Sequence, residues 1–326
     1  MKRSLIILTL VALIIILSVF IESRIKRKQI KSETNLPIAT TPVSLFPDSN
    51  QIPATSYGDL VRYGKSLVAN TAFYFGPDGE LQHVSNRLNC QNCHLAAGMK
   101  EYGNNFLLVA NGYPRYKERS GLMESLVKKV EDCFERSLNG KIIDSNSREM
   151  KAFIAYLGWV GAAVKKGEKP KGTGLEELPF MDRAADTLKG KTVFENKCMV
   201  CHGKNGQGQE LPDSTGTIYP PLWGADSYNV GASIYRVSKF AGFVKSNMPF
   251  GATHDLPQLS NEEAWDVAAY VNTQFHPSKD LSGDWPVLSK KPYDYPFGPY
   301  SDKFSENQHK YGPFTPIKNF YAGDKK

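Results

Sequence analysis

The chain opens on an apolar run, Leu5 to Ile21, interrupted only by Thr9 and Ser18. As a helix this run would span about 26 Å, near the lower limit for crossing a bilayer. Lys2 and Arg3 precede it, it is long for a signal-peptide core, and no Ala-x-Ala-like cleavage site follows. Residues 1–31 therefore read as a signal or anchor segment, with an uncleaved anchor through residues 5–21 favoured over a cleaved signal. Residues 32–55 carry Pro37, Pro42, Pro47 and Pro53 among Ser, Thr and Asn, the composition of an extended spacer. Apolar positions then recur at helical spacing from Gly58 to Asn70 (Leu60, Val61, Leu67, Val68) and from Ser147 to Val164 (Met150, Phe153, Ile154, Leu157, Val160). These two helices bracket a first domain over 56–165. The Lys-, Gly- and Pro-rich stretch beginning at Lys165 opens a linker over 166–185.

The second half repeats the plan over 186–276. A helix with Leu188, Val193 and Phe194 leads in, and a closing helix runs from Ser260 to Val271, with Ser260 and Glu263 spaced as a capping box. Gly64-Lys65 and Gly190-Lys191 stand at matching places in the two leading helices, so the repeat has domain scale. Residues 277–326 are rich in Pro, Tyr and Phe with little periodicity. They predict a tail that wraps both domains through its aromatics, with a partner-binding strap as the alternative. The pattern as a whole predicts a mainly α protein.

Composition adds one correction to this picture. The chain has a net charge of +7, but seven of its basic side chains and only one acid, Glu22, lie in the first 31 residues. The remainder holds 33 basic and 32 acidic residues, so the high pI gives no support for a nucleic-acid-binding surface. More basic residues follow the apolar run than precede it, which by the positive-inside rule would keep the bulk of the chain in the cytoplasm. The chemistry carried by the two halves overrides that hint.

Each half contains one Cys-x-x-Cys-His sequence: Cys90-Gln91-Asn92-Cys93-His94 and Cys198-Met199-Val200-Cys201-His202. Two thiols at this spacing bond the two vinyl groups of one porphyrin, and the adjacent histidine supplies the proximal iron ligand. A lone Cys-x-x-Cys could be a redox dithiol or half a zinc site. The doubled five-residue sequence behind an export segment favours two covalently attached haem c groups, with His94 and His202 as proximal ligands. Such attachment takes place outside the plasma membrane. The expected location is the periplasmic side of the inner membrane, either anchored by residues 5–21 or soluble after signal cleavage.

The sixth ligand decides what such a haem does. In a small single-haem domain it lies downstream, just before the closing helix. In the second half that place holds Met248, with His254 and Lys245 as competitors; a thioether raises the reduction potential and suits electron relay. In the first half the matching place holds Cys133, the fifth cysteine, left over after four haem thiols. Met99, Met123 and His83 compete for the same iron but sit less well relative to the closing helix. Thiolate ligation lowers the potential and calls for a depressed thiol pKa. A low-potential haem beside a His/Met haem predicts a catalytic centre feeding an electron-exit centre. Residues Gly121 to Leu138 read as a helix, and positions three and four apart share a face. That places Lys129, Arg136 and Ser137 around Cys133, with Arg115 and Arg119 just upstream, as donors for a small anion. The alternative is that these charges are a solvated helix face or hold haem propionates.

The run Cys133-Phe134-Glu135-Arg136-Ser137-Leu138-Asn139-Gly140, the two haem sequences, Tyr219-Pro220-Pro221-Leu222-Trp223-Gly224 and Asn247-Met248-Pro249 resemble the dihaem thiosulfate dehydrogenase family, whose members are also described as tetrathionate synthases or reductases. The match covers roughly residues 57 to 276, and the Cys-Phe-Glu-Arg-Ser run is its specific part. The resemblance implies two class I cytochrome c domains in tandem and a His/Cys catalytic haem. It also implies the couple of two thiosulfates with one tetrathionate and two electrons. It makes Cys133 the distal ligand and catalytic thiol, with Ser137 and Arg119 contacting the anion. Lys129 stands where an arginine would be expected, and the two are not equivalent for bidentate oxyanion binding. The second ligand varies among relatives between Lys and Met; Asn247 precedes Met248 here, which favours Met248. A cytochrome c or other periplasmic redox partner is expected. The competing reading is a non-catalytic dihaem electron carrier.

Overall fold

The helices that carry the fold are α1 (Ser56–Ala69), α2 (Leu126–Asp132), α3 (Arg148–Gly161), α4 (Thr187–Lys197), α5 (Val237–Asn247) and α6 (Asn261–Val271), followed in the tail by α7 (Glu306–Tyr311) and α8 (Thr315–Gly323). The structure, a computed structural model, describes residues 16–26, 45–213 and 215–323. In each half the leading helix crosses the closing one, α1 over α3 and α4 over α6. A glycine makes each crossing possible. A Cβ on Gly64 would stand 2.0 Å from the Ala152 carbonyl oxygen, and one on Gly190 would stand 1.9 Å from that of Asp266. The Gly-Lys pairs of the sequence repeat thus mark where two backbones touch.

Capping fixes the helix starts. Thr55 Oγ1 accepts from the Gly58 amide at 3.2 Å, and Ser147 Oγ from the Met150 amide at 3.1 Å. The capping box on α6 is complete: Ser260 Oγ accepts from the Glu263 amide at 3.0 Å while the Ser260 amide donates to Glu263 Oε2 at 2.8 Å. Each satisfies donors that the first helical turn leaves unpaired.

The core of the first half is aromatic. Phe134 packs edge-on against Phe75 and Phe153, with ring centroids 5.3 and 5.9 Å apart, and is 1% exposed. Replacing Phe134 with alanine should cost about 3–5 kcal/mol by cavity formation, read as a lower denaturation midpoint at unchanged m-value. In the second half Phe194 packs on Trp223 and Tyr270, and the Trp265 indole donates to the Pro179 carbonyl at 3.0 Å.

Three sequence expectations change. Residues 121–138 are not one helix: Arg115–Lys117 and Leu122–Glu124 pair as a two-stranded antiparallel hairpin, β1 and β2. Gly121 turns between them at φ +68°, and Ser125 caps a helix that starts only at Leu126. Leu188 does not join the core and is 77% exposed, because α4 packs through Gly190, Val193 and Phe194. The stretch read as a linker is bonded rather than loose. The Gly172 carbonyl accepts from the Tyr102 amide (2.8 Å) and from Asn105 Nδ2 (2.7 Å), and the Gly174 carbonyl accepts from the Asn104 amide (3.0 Å). At its far end Arg183 grips Asp266 of α6 with two hydrogen bonds of 2.8 and 2.9 Å.

Residues 46–326 form one compact unit. Within it the tail lies against both halves: Ile317 is fully buried, Phe314 packs on Trp265 (5.5 Å), Phe297 stacks on Tyr235 (5.7 Å) and Asp294 pairs with Arg236, while the Trp285 amide donates to the Arg119 carbonyl at 2.6 Å. Residues 16–26, in the other unit, are helical and exposed. The larger part of the expected anchor, 5–15, and most of the expected spacer, through residue 44, lie outside the described residues. Among the described residues no helix is long and apolar enough to cross a membrane.

Candidate functional site

The turn Cys90–Cys93 is held by its neighbours. The Cys90 amide donates to Thr71 Oγ1 at 3.0 Å, and Asn89 and Asn92 close a reciprocal cap. Immediately after it, Ala96, Ala97 and Gly98 adopt left-handed backbone (φ +53°, +53° and +85°) and reverse the chain. Only glycine serves at 98, where a Cβ would meet the Phe106 ring at 2.1 Å. The reversal brings the Asn104 carbonyl to His94, whose Nδ1–H donates to it at 2.5 Å, and sets the Phe106 ring 4.5 Å from the imidazole. With Nδ1 committed, Nε2 is the nitrogen left to bind a metal. Burial pushes the His94 imidazole down to about 4, so the ring is neutral, the form that ligates.

His94, Cys90 and Cys93 line an apolar cavity. The same cavity is lined by Lys129, Cys133 and Ser137 from the segment beginning at α2. Cys133 opens a single π-helical turn, Cys133–Ser137, in which the Leu138 amide returns to the Cys133 carbonyl at 3.0 Å. Such turns, which insert one residue into a helix, are frequent at functional sites. Lys129 lies one turn back. The neighbouring Cys133 sulfur holds its ammonium above the usual lysine value, against the opposing effect of burial. The competing ligands fall away by position: Met123 is 65% exposed on β2, His83 is exposed and bonded to the Pro77 carbonyl, and Met99 does not line the cavity.

The arginines depart from expectation. Arg136 turns from the cavity to a bidentate pair with Asp284 of the tail, at 2.7 and 2.8 Å, and also donates to the Gly231 carbonyl. Its placement around Cys133 is therefore corrected: a carboxylate 148 positions downstream claims it. Arg119 pairs with Asp132, beside Cys133. Of the residues expected to surround the thiol, Lys129 and Ser137 line the cavity, Arg119 stands behind an acid, and Arg136 serves the fold.

The second half has a matching proximal arrangement. His202 is buried, and its Nδ1–H donates to the Pro220 carbonyl at 2.9 Å; burial also lowers its pKa. Met248 ends α5 half-buried. Its competitors are engaged elsewhere: Lys245 donates to the Leu259 carbonyl at 2.6 Å, and His254 bonds Glu176 and stacks on Tyr102 at 3.9 Å.

Burial raises the Cys90 and Cys93 thiols to about 12 and Cys198 to about 11, the opposite of what a reactive dithiol needs. Among the described residues no three His, Cys, Asp or Glu side chains stand close enough to hold a metal ion by themselves. Two thiols and a neutral imidazole on an apolar cavity are the donor set of a covalently held haem.

Residues 187–275 match the cytochrome c family, so this part of the chain is a c-type cytochrome domain of the kind that carries covalent haem. The similarity to characterised proteins runs much further. The chain is 35% identical over 231 residues to the thiosulfate dehydrogenase of Stutzerimonas stutzeri, covering 71% of this chain and 72% of that one. It is 31% identical over 274 residues to the enzyme of the same name from Thiomonas intermedia, covering 84% of each. The chain belongs to the thiosulfate dehydrogenase family. The solved thiosulfate dehydrogenase TsdBA of Marichromatium purpuratum superposes with a TM-score of 0.64 at 29% identity, over 70% of this chain and 48% of that longer one.

Proposed function

We propose that this chain interconverts thiosulfate and tetrathionate at the Cys133 cavity and passes electrons through the second half. The observation that carries the reading is the unpaired Cys133 sulfur on the same apolar cavity as His94, Cys90 and Cys93, with Lys129 against it. Cys90, Cys93, His94 and Cys133 would hold one haem c, which would supply a centre that accepts electrons one at a time. Cys198, Cys201, His202 and Met248 would hold a second, which would serve as the exit. The two halves are then tandem class I cytochrome c domains, 56–165 and 186–276, joined by 166–185 and followed by the tail 277–326. The protein acts on the periplasmic side of the inner membrane and hands electrons to a cytochrome c or similar carrier.

The chain's own part in the reaction is nucleophilic and electrostatic. The Cys133 thiolate, once free of any iron, and the sulfane sulfur of one thiosulfate form an S–S bond; the two electrons released would pass one to each haem the chain holds, and Cys133 is left carrying the sulfane sulfur and its sulfonate. The sulfane sulfur of a second thiosulfate attacks that bond, tetrathionate departs, and the thiolate returns. Two thiosulfates thus give one tetrathionate and two electrons, with no proton moved. Lys129 offsets the repulsion between the anions, and the Ser137 hydroxyl donates to a sulfonate oxygen.

Steady-state turnover with thiosulfate and ferricyanide, and separately with tetrathionate and a low-potential donor, tests this reading. Activity in at least one direction is expected, together with a ferric spectrum of a low-spin thiolate-ligated haem distinct from His/Met. Two His/Met-type spectra and no turnover with either anion would leave an electron carrier instead.

A further inference from the structure

The hairpin β1–β2 was not foreseen, and it delivers a second set of charges beside the Cys133 cavity. Arg115 and Lys117 both lie over the ring of Tyr113, the guanidinium 5.0 Å and the ammonium 5.9 Å from its centroid. Lys129, which touches Cys133, is near enough to influence both Tyr113 and Lys117 electrostatically. Lys117 therefore feels both Lys129 and Arg115, and the three form one cationic group.

These three differ from every other cation near the site. Arg119 is matched by Asp132, Arg136 by Asp284 and Lys128 by Asp132 and Glu135. Among the described residues neither Arg115, Lys117 nor Lys129 has a carboxylate within 4.0 Å. Glu124, 3% exposed, is the acid in the group, with Oε1 taken by Ser120 at 2.7 Å and Oε2 without a partner. The Tyr113 hydroxyl is buried and likewise lacks a partner. Burial, the Arg115 charge and the Lys129 charge together push the Lys117 ammonium down to about 8. Lys117 is half-buried and Arg115 exposed; Glu124 partly offsets the crowding of like charges around Lys117, and a bound anion would offset it further.

We propose that Arg115, Lys117 and the Tyr113 hydroxyl form an outer anion subsite that receives the far sulfonate of tetrathionate, or of the second thiosulfate. This rests on the function proposed above. Tetrathionate carries a sulfonate at each end of a four-sulfur chain. Lys129 and Ser137 serve the end next to Cys133; the other end needs a cationic place further out, and the hairpin supplies it.

The test uses the haem-loaded full chain with Lys117→Gln, Arg115→Gln, the double substitution and Lys117→Arg. The single Gln variants should each raise KM for tetrathionate about tenfold, the weight of one lost charge-assisted hydrogen bond, and kcat should fall by less. Lys117→Arg should restore most of the KM. The haem absorbance spectrum and reduction potential should match the unmodified protein throughout. An unchanged KM for both anions in the double variant would overturn the subsite. So would an unmoved KM with a shifted potential, which would assign the cations to haem propionates. Failure of the unmodified protein to turn over either anion would instead remove the functional reading, and the subsite with it.

Discussion

Substituting Cys133 with glycine is expected to lower turnover of thiosulfate and of tetrathionate by on the order of 10³-fold or more, as loss of a nucleophile does. Covalent haem content should be unchanged, because Cys90, Cys93, Cys198 and Cys201 are untouched. The ferric spectrum should lose its thiolate component. Glycine at a helical position adds a backbone cost of up to about 1 kcal/mol, so Cys133→Ala serves as the control for folding and should be equally inactive. Near-normal turnover in either variant with full haem content would exclude the covalent route through this sulfur.

The second large effect lies far from the chemistry. A valine at Gly64 or Gly190 would drive a Cβ to within 2.0 or 1.9 Å of a carbonyl oxygen on the crossing helix, and neither backbone can yield without opening the pair. Each substitution should cost at least about 3 kcal/mol, lowering Tm by roughly 5 °C or more for a unit of this size. Gly64→Val should harm the half that holds Cys133, while Gly190→Val should harm the half that holds His202. Thermal melts followed by far-UV circular dichroism and by haem absorbance would show both. A tolerated valine at either place would mean that the helices cross further apart than described.

The parts of this fold that follow short-range rules were legible in the chain. The closing helices, the cap at Ser147, the Ser260–Glu263 box and the Gly-Lys pairs all announce themselves within a few residues. So did the haem sequences, the placing of Lys129 and Ser137 one turn either side of Cys133, and the thiosulfate dehydrogenase family itself. What escaped depends on partners distant in sequence. Nothing near Arg136 reveals that Asp284 will claim it. The hairpin has strands of three residues, too short for alternation to register, and its Leu122 and Met123 face solvent, so their apolar character pointed to a helix that is not there. The helices α7 and α8 of the tail are short and interleaved with prolines, and only packing against the second half reveals their apolar faces.

The bonded stretch at residues 172–174 has a kinetic consequence. Its carbonyls are tied to amides of the 102–105 loop, the same loop whose Asn104 carbonyl orients His94, while Tyr102 offers its own carbonyl to Asn247, the neighbour of Met248. One short loop thus registers the environments of both proposed iron centres against each other. If each half holds a haem as proposed, these bonds would keep the distance an electron tunnels between them nearly fixed. That internal hop should be insensitive to solvent viscosity, so any viscosity dependence of the overall rate belongs to encounters with substrate or with the external electron acceptor.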